Sequence, residues 1–82
     1  MIQVGNMVEW DFDTSPPDDA GSRESTAAYV DFHRLPTKGP FPVVHVNYPY
    51  VTFEYSIDIE GESFPMLSGG ACEWRFKKVE EQ

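Results

Sequence analysis

Val51-Thr52-Phe53-Glu54-Tyr55-Ser56-Ile57-Asp58-Ile59-Glu60 places an apolar side chain at every odd position and a polar one at every even position. A period of two held over ten residues is the pattern of a strand with one face packed and the other in water, as in antiparallel sheets. Gly61 follows, a residue free to take positive φ in a tight connection. Phe64-Pro65-Met66-Leu67 then reads as the short returning strand of a hairpin.

The same period recurs on both sides of this hairpin. Val8, Trp10 and Phe12 alternate with Glu9, Asp11 and Asp13, which predicts a first strand over 8–12 with an apolar inner face and an acidic outer one. Ala28, Val30 and Phe32 repeat the spacing and predict a second strand. Residues 41–46, entered through Lys38-Gly39-Pro40, form a β-branched run in which Pro42, having no N–H to donate, belongs at an edge or at the strand's start. Cys72, Trp74 and Phe76 point one way while Glu73, Arg75 and Lys77 point the other, predicting a last strand that ends near Val79. Five or six short antiparallel strands, no helix, and seven prolines at the joints describe an all-β domain, a small barrel or sandwich.

Eighty-two residues make one domain, 1–82, since chains divide into separate cores only at several times this length. Twelve aromatic residues supply a core, and no apolar run approaches the roughly 20 residues that span a bilayer. Met1-Ile2-Gln3-Val4 has neither the charged nor the apolar segment of a signal peptide, so a cytoplasmic location is expected. Cys72 is the single cysteine and reads as a small hydrophobe beside Trp74.

Charge is unevenly distributed. The formal net charge is −8, and residues 9–24 carry six carboxylates (Glu9, Asp11, Asp13, Asp18, Asp19 and Glu24) against Arg23 alone. An acidic chain is poorly suited to DNA, RNA or anionic membranes, whose binding is dominated by Lys and Arg, so a charged partner is expected to be basic. Thirteen residues, 14–26, contain no large apolar side chain. They are expected to form a mobile acidic loop between the first two strands, able to order on a partner. Residues 80–82 form a polar tail.

The order of a first strand, a long acidic connection, several short strands joined by tight turns, and the Ser68-Gly69-Gly70 turn before Trp74 resembles the SH3-like barrels. More narrowly, Leu35-Pro36-Thr37-Lys38-Gly39 leading into a Val-rich strand, the Gly-centred hairpin at Glu60-Gly61, and Trp74-Arg75-Phe76 with Val79 are similar to small SH3-like proteins encoded by bacteriophages and prophages. The resemblance covers residues 35–79 and implies a binding scaffold without catalytic residues.

Catalytic and metal motifs are thin. His33 and His45 are expected on separate strands, with no third ligand or Cys pair to make a zinc signature. No phosphate loop, nucleophile elbow or His-Glu-x-x-His motif occurs. Counted from Asp11, the sixth and twelfth places of a calcium loop hold Pro16 and Ser22 where Gly and Glu are needed. The chain is therefore expected to be a non-enzymatic protein without cofactors, an adaptor or inhibitor that meets a basic partner. Its binding residues would be Glu9, Asp11, Asp13, Asp18, Asp19 and Glu24, with Tyr48 and Tyr50 as aromatic anchors. Nucleic-acid mimicry is a sharper form of this reading. Acids on alternate strand positions stand about 7 Å apart, however, and duplex DNA carries a charge about every 1.7 Å. The alternatives are a nucleic-acid-binding barrel using Arg34, Lys38, Arg75, Lys77 and Lys78, or a structural subunit of a virion or other assembly.

Overall fold

A computed structural model describes residues 1–18 and 23–79. In chain order the elements are β1 (Met7–Trp10), α1 (Thr26–Phe32), β2 (Phe41–Asn47), β3 (Tyr50–Ile59), β4 (Glu62–Leu67), β5 (Ala71–Cys72), a single 3-10 turn (Glu73–Arg75) and β6 (Phe76–Lys78). The strands form one antiparallel sheet in the order β4-β3-β2-β1-β6, with β5 also paired to β3. Most of the fold is thus antiparallel β, as the period of two implies. The ladder runs from β4 to β6 without closing.

β3 is the axis of this sheet. One edge pairs with β2, while the other is divided between β4, from Glu54 to Ile59, and β5, at Tyr50 and Val51. Ser68 fills the gap: its N–H donates to the Phe53 carbonyl at 2.9 Å, and its Oγ accepts from the Phe53 N–H at 3.0 Å. The β3–β4 turn is the two-residue connection Glu60-Gly61, with φ of 52° and 82°. Positive φ at both central positions is the type I′ geometry that matches strand twist. Glu60 pays the steric cost of a Cβ in that region, which Asn tolerates better. Glu60→Asn is expected to raise the unfolding free energy by about 0.5–1 kcal/mol, read as a higher urea midpoint at unchanged m-value.

Three segments depart from the expected strands. Residues 26–32 are helical: Ser25 caps the N-terminus, its Oγ accepting from the Ala28 N–H at 3.1 Å. At the other end Leu35 N–H donates to the Val30 carbonyl and Arg34 N–H to the Asp31 carbonyl, with Arg34 at φ 55°. This is a Schellman stop built without glycine. Thr26 and Val30, four apart, face inward, and Ala28 and Phe32 face solvent. The long connection therefore leads from a strand to a helix rather than to a second strand. His33 lies at the helix C-cap rather than on a strand.

The last predicted strand is divided by its 3-10 turn. With about three residues per turn instead of two, the alternation breaks, so Arg75 is buried while Trp74 is only half-buried. β1 stops at Trp10, two residues short of its expected end. Within β2, Val43 faces Phe53 and His45 faces Thr52, two steps against one. This bulge leaves Val44 and His45 both outward and returns Val46 to the core side. Pro42 stands at the start of β2, as its missing donor requires.

The core gathers around Trp10. Its ring stacks on Phe76 at 4.7 Å between centroids, meets Phe53 edge-on at 5.4 Å, and approaches Tyr29 and Phe41 at 6.1 and 6.4 Å. Trp10 Nε1 donates to the Pro36 carbonyl at 2.8 Å, so the buried indole leaves no orphan donor. Ile2, Val8, Val30, Leu35, Val43, Val51 and Ala71 complete the apolar interior.

Candidate functional site

The acids of the front segment do not form a row. Glu9 lies opposite Lys77 on β6 and pairs with its ammonium at 3.6 Å, both half-exposed. Asp11 lies beyond β1, where its Oδ1 accepts from the Asp13 N–H at 3.2 Å, so residues 11–14 turn instead of extending. Asp13 and Asp18 are exposed, and Asp19 lies outside the described residues. Arg23 Nη1 reaches back to the carbonyls of Pro17 and Asp18 at 3.4 and 3.5 Å. Glu24 is half-buried, and its carbonyl accepts from Arg75 Nη1 at 3.2 Å. The expected acidic strand face is thus replaced by one ion-paired Glu, a turn and a connection.

Arg75 binds this connection to the sheet. Its guanidinium lies between the rings of Tyr29 and Trp74, 4.3 Å from each centroid, and it is 1% exposed. Planar, weakly hydrated guanidinium suits such a sandwich better than an ammonium would. Its backbone carbonyl accepts from the Asp11 N–H at 2.8 Å. Arg75 Nε, Trp74 Nε1 and Thr26 Oγ1 are buried without protein partners. With Arg75 inside, the cation patch required for nucleic-acid binding loses a member, and Lys77 is already paired with Glu9.

Burial pushes the Tyr29 hydroxyl above its ordinary value of 10.0, with the Arg75 charge pulling in the opposite direction. A raised folded-state value means that Tyr29 holds its full contribution below the unfolded value and loses it as pH rises through the folded one. Wild-type stability is therefore expected to fall at pH above about 10, and Tyr29→Phe to lose less over the same range. Denaturant midpoints measured for both proteins across alkaline pH check this.

The predicted aromatic anchors lie at the opposite end of β2. Tyr48 lies in the two-residue β2–β3 turn and Tyr50 opens β3 just after it, and they are 65% and 49% exposed. The Pro49 carbonyl accepts from the Glu73 N–H at 2.8 Å, fixing the base of the turn against the 3-10 segment. Beside it a shallow groove of about 390 Å³ is lined by His45, Asn47, Tyr50, Thr52 and Gly70. Gly70 permits the close approach of Tyr50, because a Cβ there would stand 3.2 Å from the Tyr50 Cβ. The groove offers stacking and hydrogen bonding. His45 and Thr52 lie opposite each other across β2 and β3 in its lining, and no group of three His, Cys, Asp or Glu able to hold a metal occurs among the described residues.

A simpler signal lies outside the front segment. The thirty-six residues 39–74 contain Glu54, Asp58, Glu60, Glu62 and Glu73 and not one Lys or Arg. The structure gathers four of these acids, all exposed, on the β3–β4 hairpin. A count of bases along the chain marks this stretch, and Asp58, Glu60 and Glu62 are the acids that could extend an acidic surface beyond residues 9–24. Comparison with known protein families, characterised proteins and solved structures gives no match to this chain. No helix among the described residues is long and apolar enough to cross a membrane.

Proposed function

We propose that this chain is a non-enzymatic binding protein on an SH3-like scaffold of the phage type, an adaptor or inhibitor that engages a basic surface of a partner protein. The observation that carries the reading is the base-free segment 39–74, in which Glu54, Asp58, Glu60 and Glu62 stand exposed on the β3–β4 hairpin with no cation beside them in the sequence to neutralise them. Exposed Tyr48 and Tyr50 add large, rigid contact area at low entropic cost. Two features support the scaffold: the last strand arrives through a single 3-10 turn to pair with the first, and a long connection follows the first strand. Generic recognition of a basic protein is favoured over nucleic-acid mimicry, because Glu9, Asp11 and Asp13 do not share a strand face.

Affinity capture from a bacterial lysate at about 0.05 M and about 0.5 M salt tests the reading, since exposed charge pairs are screened within a few Å at the higher value. Captured proteins are expected to be basic, to elute at high salt, and to be lost from the triple variant Glu54→Gln, Asp58→Asn, Glu62→Gln. Capture that ignores both salt and charge removal overturns it.

A further inference from the structure

The apolar alternation of β3 does not stop where the core stops. Val51 and Phe53 are sealed in the interior and Tyr55 is packed against it, yet Ile57, half-buried, and Ile59, exposed, continue on the same face outside the core cluster. Register sets Met66 opposite Tyr55 and Phe64 opposite Ile57, so those side chains share that face. The outer half of the hairpin thus carries a ladder of Tyr55, Ile57, Ile59, Phe64 and Met66. Ile59, Phe64 and Met66 are 52%, 40% and 39% exposed. β4 pairs with β3 alone. A contiguous apolar face on a two-stranded arm is a feature that marks an interaction site.

We infer that this face is a docking surface for a basic amphipathic helix of a partner protein. The inference rests on the proposed recognition of a basic partner and assigns that role to a specific surface and ligand class. Charge selects the partner's sign: Glu62 continues the ladder opposite Ile59, Glu60 occupies the turn, and Glu54 and Asp58 occupy the reverse face. With no Lys or Arg from 39 to 74, two copies packed through this face would set Glu60 and Glu62 of one against Glu60 and Glu62 of the other with no cation between them, so a second copy of this chain is disfavoured. Geometry selects a helix over an added strand. Pro65 lies in the free edge strand and has no N–H to extend the ladder, so the partner must be met through side chains on the face. From Tyr55 to Ile59 the ladder is about 14 Å long, the length of about nine helical residues. An apolar stripe at i, i+3/i+4 and i+7 covers it, with basic residues placed toward the Glu60–Glu62 tip.

The test uses two labelled synthetic peptides of identical composition, about fourteen residues of Leu and Lys. One is patterned so that Leu forms a single helical face, and the other is rearranged so that no face is apolar. The patterned peptide is expected to bind at least about tenfold more tightly in fluorescence anisotropy and to gain helical circular dichroism when bound. The double variant Ile59→Ser, Phe64→Ser, at exposed positions, is expected to remove that tenfold preference while its thermal midpoint shows it folded. Equal binding of the two peptides overturns the docking surface and leaves charge-based recognition standing, whereas binding of neither overturns both. A strand-type spectrum on binding places the ligand at the sheet edge and overturns the inference. So does a wild-type dimer in sedimentation that Ile59→Ser, Phe64→Ser dissociates.

Discussion

Burial of one indole organises this domain. Trp10 touches aromatic rings from α1, β2, β3 and β6 and donates to the carbonyl of Pro36, so the helix, the sheet and the segment joining them meet at a single side chain. A chain of this size buries only about 60–65% of its unfolded surface, which leaves little room for a second independent cluster. Arg75 depends on the same arrangement. Its guanidinium can be sandwiched only because Tyr29 is held by the Trp10 cluster on one side, while the 3-10 turn presents Trp74 on the other.

Legibility in the sequence followed the length of the periodic signal. Ten alternating residues fixed β3, and Gly61 marked its turn, because a half-buried strand and a positive φ each demand particular residue types. In residues 26–32, Ala28, Val30 and Phe32 fit a period of two, while Ala27 and Tyr29 fall between them and break it. Thr26, which shares the inner face of the helix with Val30, is a polar side chain turned inward. The helix stop was equally hidden, since Arg34 takes the left-handed position where glycine is the usual sign. In the last strand, a three-residue 3-10 turn reversed the faces, which no alternation rule anticipates and which put a cation in the core.

The candidate site was partly legible for a different reason. Tyr48 and Tyr50 bracket a proline in a short turn, and an aromatic there has no interior to enter, so exposure followed. The acids of residues 9–24 were visible as composition but not as geometry. Asp11 bends its side chain onto Asp13, a local hydrogen bond that competes with strand extension and ends β1. The concentration of unopposed charge on β3 and β4 was written in the absence of Lys and Arg, a pattern that a search for motifs overlooks.

The pairing of Val8 with Lys78 and of Trp10 with Phe76 has a consequence for how the chain acquires its structure. The β2–β3 and β3–β4 turns are two residues long and close cheaply, whereas joining β1 to β6 closes a loop of nearly the whole described chain, with the larger entropy cost that goes with it. On a ribosome, β1 is synthesised first but cannot gain its β6 partner until residue 76 has left the exit tunnel. During that interval the central indole is only partly covered. Synthesis from the N-terminus therefore exposes the keystone of the core first and seals it last.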